Sequence, residues 1–268
     1  MVRIVILLFS LVVSIIGNGA FDTFAKSFFK KEELQQTESI AEELTTVEQQ
    51  TSVVSSTVIV ENKLEEETTT AMIIEKSCNI DIQCILQMPE LPTGCEITSL
   101  TMVLNYLGIN ADKCDMADNW LMKGTVGKVH PNDYFLGNPR DNNSYGCYAP
   151  VIINCANTYL EAIGRTDLTV RNLTGSQFED LLKEIDKGNP VIIWATVDMK
   201  EPYYTRTWNL NGKDFTWKSG EHCLVLTGYD IGGNKVYVAD PLKGNVSYSL
   251  DIFKDRYEKM YSQAVLVD

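Results

Sequence analysis

The chain has 268 residues, with 36 Asp and Glu against 23 Lys and Arg, which gives a formal net charge of −13 at pH 7. This charge repels nucleic-acid phosphates and anionic membrane surfaces, and no stretch of the sequence concentrates basic residues. Nucleic-acid binding is therefore disfavoured as a function.

Residues 1–20 have the pattern of a signal peptide. Arg3 supplies a positive charge, an apolar run extends from Ile4 to Ile16, and Gly19 or Ala20 suits cleavage. The run is shorter than the roughly 20 apolar residues of a membrane-spanning helix, so an uncleaved N-terminal anchor is the alternative. Either interpretation predicts a secreted or cell-surface protein that contacts the membrane only through this segment.

Residues 21–76 form the second predicted region, an acidic spacer rich in Thr and Glu. From residue 26 the segment is dominated by Glu, Thr, Gln and Ser. Such a composition buries too little apolar surface to offset chain entropy, which predicts disorder. Residues 77–268 are then expected to form one catalytic domain.

The predicted elements of this domain follow from apolar patterns and their boundaries. Helices are predicted over 95–107, 150–163 and 175–187, with irregular chain over 123–147. Strands are predicted over 191–197, 222–229, 235–239 and 263–267. Helices followed by a largely antiparallel sheet indicate an α+β fold.

Seven cysteines in an exported chain leave at least one thiol free or paired with another molecule. Cys155 and Cys223 lie in apolar patterns and are expected to be buried packing residues. No CxxC spacing supports a zinc site, so neither a metal nor a cofactor is predicted. Disulfides among Cys78, Cys84, Cys114 and Cys147 stay open.

Cys95 is the candidate nucleophile because it opens an apolar helix. Thr93 and Glu96 match a capping box, with Thr93 as N-cap, and Gly94 is expected to leave room for a substrate above the sulfur. The first turn of a helix presents free N–H groups and the positive end of the dipole, which favours a thiolate.

His222 is the candidate general base and Asp240 its partner. The other histidine, His130, lies in turn-rich chain and is expected to be a solvated loop residue. The turn at 230–234 predicts a hairpin that sets His222 opposite Asp240 or a near neighbour of Asp240. Asp240 would accept Nδ1–H and leave Nε2 to take the thiol proton, with Asp230 as the weaker candidate.

Gln87 completes the predicted catalytic group. A side-chain amide just upstream of the nucleophile can donate to the oxyanion, together with the Cys95 backbone N–H. Gln83 is the competitor, and the short stretch from Met88 to Pro92 favours Gln87.

With these residues assembled, the chain resembles cysteine peptidase family thirty-nine, typified by double-glycine leader peptidases, and more closely its stand-alone, exported relatives in Gram-positive bacteria. The resemblance covers about residues 80–268 and rests on the blocks QMPELPTGCEITSLTMVLNYLG, GNPR, YGCYAPVI, GNPVIIWATV, GEHCLVLTGYD and VYVADPLKG. It implies a papain-like fold with a triad of Cys95, His222 and Asp240 and an oxyanion hole at Gln87.

The predicted function is hydrolysis of peptide or related amide bonds through a thioester on Cys95, with a peptide or protein as substrate. One alternative is acyl transfer of the transglutaminase type, which uses the same order of Cys, His and Asp. Another is a non-catalytic surface module that binds peptides or cell-wall material.

Overall fold

The computed structural model describes residues 76–268. The predicted signal segment and residues 21–75 of the predicted spacer lie outside the described residues. Within residues 76–268, no helix combines the length and the apolar character that crossing a bilayer requires.

Most helices of the described chain lie in its first half, and six consecutive strands dominate its second half. The helices are α1 (Cys95–Tyr106), α2 (Lys113–Asp115, continued by a π-helical turn, Met116–Trp120), α3 (Ala149–Ala162), α4 (Phe178–Asp186) and α5 (Leu250–Lys259); a 3₁₀ turn spans Val197–Met199. The strands are β1 (Ser77–Asn79), β2 (Lys123–Gly124), β3 (Phe135–Leu136), β4 (Val170–Asn172), β5 (Val191–Thr196), β6 (Tyr203–Leu210), β7 (Lys213–Ser219), β8 (Glu221–Asp230), β9 (Lys235–Asp240), β10 (Gly244–Ser249) and β11 (Ala264–Val267).

The main sheet has seven strands and every pairing in it is antiparallel. Its order is β10-β9-β8-β5-β11-β4, and β1 pairs with the C-terminal end of β8. β8 lies in the middle of the sheet and is buried along almost its whole length.

Helices cover both faces of this sheet. On β8, Cys223 and Val225 join a core cluster with α1 and α3, whereas Leu224 and Leu226 join a cluster with α4 and α5. This alternation follows from the two-residue period of a strand. The predicted α+β, papain-like fold is confirmed, and the helix that begins at Cys95 packs on an antiparallel sheet.

The predicted elements are present, with shifted ends. The helix predicted over 175–187 begins only at Phe178, because Gly175 has φ +91° and Gln177 is extended. The face of α4 that packs on the sheet carries apolar residues at helical spacing: Phe178, Leu181, Leu182 and Ile185. Helix α5 lies between strands β10 and β11, so the helices do not all precede the sheet.

A β-hairpin formed by β6 and β7 is the largest element that the sequence analysis did not predict. Its turn is Asn211-Gly212, with φ +51° and φ +84°, the geometry that Asn-Gly dipeptides favour in tight hairpins. Trp208 and Trp217 of the hairpin are buried together with Leu136 and Tyr148. The hairpin thereby packs against the irregular segment over 123–147.

Candidate active site

Cys95 is the first residue of α1, as predicted. The chain approaches it through a tight turn in which Gly94 N–H donates to the Leu91 carbonyl at 3.0 Å. A Cβ on Gly94 would lie 2.8 Å from Leu91 Cβ and 3.2 Å from Pro139 Cβ. Close packing beneath the turn therefore requires a glycine here. Its contacts do not indicate the predicted role of leaving room for a substrate.

The predicted capping box is wrong. Gly94 is the N-cap residue, and no side chain caps the helix. Thr93 Oγ1 donates to the Asp141 carbonyl at 3.0 Å, and the Glu96 carboxylate turns into the protein. Because Thr93 ties the helix start to a neighbouring loop, neither side chain is free to cap.

The Cys95 thiol lies in a closed, acidic environment. It is 6% exposed, and its Sγ donates to Glu96 Oε2 at 3.3 Å. Burial, followed by the nearby Glu96 and Glu221 carboxyls, raises the pKa of Cys95 well above its ordinary value. The sequence predicted a pKa depressed by the helix N-terminus, and desolvation with two acidic neighbours outweighs that effect.

His222 and Asp240 form a buried hydrogen-bonded pair. His222 Nε2 lies 2.8 Å from Asp240 Oδ1, and the two side chains are 2% and 1% exposed. Burial acts to raise the pKa of Asp240, but the hydrogen bonds from His222, from the Leu242 N–H and from the Tyr248 hydroxyl hold it below its ordinary value. Asp240 is therefore an ionised acceptor that fixes the orientation of the imidazole.

Two details of this pair differ from the sequence prediction. Nε2, not Nδ1, faces Asp240, which leaves Nδ1 as the ring nitrogen available to a thiol. Asp230 lies opposite Lys235, so the β8–β9 turn is centred later in the chain than predicted, and an irregularity between Leu226 and Gly228 then shifts the register by one residue, so that Val225 lies opposite Ala239. His222 and Asp240 consequently meet across a diagonal and not as directly opposed residues.

The structure does not join all predicted groups by hydrogen bonds. Among residues 76–268 no hydrogen bond links the Cys95 thiol to His222, because the thiol donates to Glu96. The Cys223 N–H, one residue after His222, lies beside the sulfur and counteracts part of the increase in its pKa. The thiol and the His222–Asp240 pair therefore lie beside consecutive residues at the same end of β8, without direct contact in this structure.

Gln87 lies where the approach to α1 passes the end of β9. Its backbone N–H donates to the Pro241 carbonyl at 2.8 Å, and its Nε2 donates to the Pro92 carbonyl at 2.8 Å. The side chain is 2% exposed, whereas Gln83 is exposed. Since an amide nitrogen carries two hydrogens, one N–H of Gln87 is left for a further acceptor.

Two acidic residues at this site were not recognised as functional candidates from the sequence. Glu96 is fully buried, and its Oε1 accepts a 2.6 Å hydrogen bond from the Cys147 N–H. Glu221 opens β8, and its Oε1 is buried with no hydrogen-bond partner among the described residues. An acidic residue inside an apolar helix and another beside the candidate histidine are the signals that could have indicated them.

Gly146 allows the two carboxyl groups to approach each other. It has φ +126°, and a Cβ there would lie 2.5 Å from Glu96 Oε1 and 2.8 Å from Glu221 Oε2. Burial raises the pKa of Glu96 to about 7, and burial together with the Glu96 charge raises the pKa of Glu221 well above its ordinary value. Two carboxyls this close hold a proton between them more readily than two negative charges.

The same residues are the candidate metal ligands of the described chain. Ligand atoms of Cys95, Glu96 and Glu221 lie within 4.8 Å of one another. They combine a soft thiol with hard carboxylates, which suit different classes of metal ion. The predicted absence of a metal stays a prediction.

The remaining cysteines and His130 have structural surroundings. All seven cysteines lie within the described residues and are free thiols there; Cys155 and Cys223 are buried in the core, as predicted. His130 packs edge-to-face on Phe215 of the hairpin, with ring centroids 4.6 Å apart. It is thus partly covered, and not the solvated loop residue that was expected.

Comparison with known proteins identifies the family of this chain. Residues 79–265 match the peptidase C39-like family. The chain belongs to that family. Membership supports a peptidase-like function of the cysteine type.

Two relatives agree with this assignment. The uncharacterized protein YvpB of Bacillus subtilis (strain 168) is 31% identical over 187 residues, covering 68% of this chain and 72% of YvpB. The crystal structure of a “putative C39-like peptidase” from Bacillus anthracis has a TM-score of 0.63 and 32% identity, covering 72% of this chain and 98% of that one.

Proposed function

We propose that this member of the peptidase C39-like family is an exported cysteine peptidase that cleaves peptide bonds through a thioester on Cys95. The observation that carries the proposal is that two groups lie beside consecutive residues at one end of β8. There a helix-terminal thiol lies beside the backbone of Cys223, and the buried His222–Asp240 pair precedes it by one residue.

In the proposed reaction the thiol turns from Glu96 toward His222 Nδ1 and gives up its proton. The thiolate attacks the substrate carbonyl, and the imidazolium returns the proton to the departing amine as the thioester forms. A water molecule then attacks the thioester with His222 as base, which releases the acid and restores the thiol. Throughout, Asp240 holds the ring through Nε2.

The oxyanion of each tetrahedral intermediate requires donors. The Cys95 backbone N–H is one of the N–H groups left unpaired at a helix start. The second N–H of the Gln87 amide is the other proposed donor, since Pro92 takes only one. Gln87 thus serves as the proposed side-chain donor of an oxyanion hole.

The proposal of export rests on the sequence of residues 1–20, with its positive charge and apolar run. The acidic segment that follows would separate the catalytic domain from the membrane or cell surface. Both segments precede the described residues.

The test is covalent labelling of the full-length protein with a peptidyl fluoromethyl ketone, combined with cleavage of a peptide library. Cys95→Ala should abolish labelling and cleavage, whereas Cys155→Ala, at another buried thiol, should retain both. Labelling that persists in Cys95→Ala would overturn the assignment of the nucleophile. Transfer of the acyl group to an added amine in place of water would instead establish the acyltransferase alternative.

A further inference from the structure

A polar cleft of about 600 Å³ leads from the surface to Glu221. One wall is the β6–β7 hairpin, through Thr205, Arg206 and Trp217, and the other is the loop over 142–145. Gly220 and Glu221 lie at its inner end, where the Glu221 carboxylate is within 4.8 Å of the Cys95 sulfur. A ligand that fills this cleft therefore contacts a residue whose carboxylate lies next to the proposed nucleophile.

The inner end of the cleft contains an acceptor that the described protein does not satisfy. Glu221 Oε1 is buried and has no hydrogen-bond partner among residues 76–268. The indole N–H of Trp194, which counteracts part of the increase in the pKa of Glu221, donates to the Cys147 carbonyl at 3.0 Å. A buried oxygen without a donor is costly, and a donor supplied by a ligand would remove that cost.

The charge around Glu221 indicates which kind of ligand donor would fit best. Glu221 lies beside a second buried carboxyl, Glu96, and within the described residues no Lys, Arg or His forms an ion pair with either. Arg206 lines the cleft but makes no such contact. A cationic ligand group would supply hydrogen bonds, and its charge would stabilise the carboxyl pair after loss of the proton that the two groups hold between them in the absence of a ligand.

We propose that this cleft is a specificity subsite for a cationic group of the substrate, recognised by Glu221. The group is an ammonium or guanidinium, carried either by a Lys or Arg side chain beside the cleaved bond or by the amino terminus of the peptide. The short distance from Glu221 to the Cys95 sulfur places the cation on a residue that adjoins the scissile bond. This inference rests on the proposed function and specifies its substrate class.

The experiment uses the full-length protein and three matched quenched fluorescent peptides. The first carries Lys beside the scissile bond and a blocked amino terminus, the second replaces that Lys by uncharged norleucine, and the third has norleucine with a free amino terminus. We expect kcat/KM to favour one cationic peptide over the blocked norleucine peptide by about 10- to 100-fold, the effect of one hydrogen bond between charged groups. A preference for the first peptide would show that the subsite binds a Lys side chain, and a preference for the third would show that it binds the amino terminus.

Glu221→Gln keeps the shape of the side chain and should remove the preference. The matched control is Glu258→Gln, which removes the same charge from an exposed position on α5 and should keep it. Equal rates for all three peptides with the wild type, or a preference that survives Glu221→Gln, would overturn the subsite.

A binding measurement separates this proposal from the proposed function. Fluorescence anisotropy of the same peptides with Cys95→Ala reports the subsite without chemistry. Tighter binding of a cationic peptide that is lost in Cys95→Ala/Glu221→Gln supports the subsite even if the wild type cleaves nothing. Equal binding of all three peptides rejects the subsite even if Cys95 is labelled and active.

Discussion

The Asp240 carboxylate accepts three hydrogen bonds, and this arrangement is well suited to fixing a histidine. His222 Nε2 and the Leu242 N–H share Oδ1, each at 2.8 Å, while the Tyr248 hydroxyl donates to Oδ2 at 2.9 Å. With two of its three donors supplied by residues other than the histidine, the carboxylate keeps its position when His222 changes protonation state.

Asp240→Asn should therefore reduce kcat without unfolding the domain. An amide can present its NH₂ group to Nε2, which would disfavour the tautomer that keeps Nδ1 free as a base. We expect a loss of about 10²- to 10⁴-fold, the usual contribution of a positioned base. Asp230→Asn, which alters a turn residue that caps the Gly233 N–H, is the control and should be active. Normal activity in Asp240→Asn with loss in Asp230→Asn would exclude the proposed pair.

Gln87→Ala tests the proposed oxyanion donor. A donor aimed at the developing charge acts on the transition state, so kcat should decrease by about 10²- to 10³-fold with little change in KM. Cys95 should still react with iodoacetamide, which forms no oxyanion. Gln83→Ala, at an exposed position, should resemble the wild type. An increase in KM alone would assign Gln87 to substrate contact.

At the level of elements, the sequence predicts those helices and strands that local apolar patterns determine. The helix that starts at Cys95 and the strands β5, β8 and β9 follow from apolar runs bounded by Gly, Pro and Asn. The β6–β7 hairpin was missed although its Asn211-Gly212 turn is a strong hairpin signal, because its strands alternate weakly and carry many exposed residues. The alignment of His222 with Asp240 could be predicted only approximately, because it depends on which residues form the turn after Asp230 and on the register irregularity near Gly228. Local sequence fixes neither of them.

The contact between Glu96 and Glu221 could not be predicted from the sequence. Glu96 and Glu221 are 125 positions apart and meet only because α1 packs on β8. A side chain at the start of a helix can cap that helix or turn inward, and the choice depends on tertiary neighbours. Here the Cys147 N–H supplies the inward partner, so the local capping pattern at Thr93 and Glu96 gave a wrong prediction.

Gly146→Ala tests how the segment before α3 supports this pair. The added Cβ would have to displace both carboxyl groups, and its φ of +126° is unfavourable for alanine. The backbone strain alone costs about 1–3 kcal/mol. Gly164→Ala is the matched control, because its φ is +73° but nothing lies within 4 Å of the added Cβ. Urea unfolding should show a larger loss for Gly146→Ala than for Gly164→Ala, and equal losses would mean that the carboxyls move aside freely.

At the scale of the whole molecule, helices packed on both faces of one sheet close the core around the candidate site. The order of helices and strands was sufficient to predict this layered architecture, since each helix has one apolar face to bury. The sequence could not show how this architecture changes the electrostatics of the ionisable groups. The layers bury ionisable groups whose pKa values then depend on folding, and the stability of the domain must depend on pH.

The direction of that dependence follows from Glu96. Its ordinary pKa is 4.5, and burial raises the pKa to about 7, so the folded protein binds a proton that the unfolded chain releases. Stability from this group is fully present below about pH 4.5 and decreases as the pH rises toward about 7, by on the order of 3 kcal/mol. The raised pKa of Glu221 acts in the same direction. Asp240, whose pKa is lowered, loses its contribution only at more acidic pH.

The free energy of unfolding, measured by urea titration between pH 4.5 and 7.5, should therefore decrease with pH more steeply for the wild type than for Glu96→Gln. The amide keeps the shape of the protonated carboxyl and can be hydrogen-bonded without titrating. Glu258→Gln, at an exposed site, should retain the wild-type slope. If the wild type and Glu96→Gln have parallel curves, Glu96 is ionised in the folded protein. Its charge must then be balanced by a group that approaches the carboxyl pair in solution.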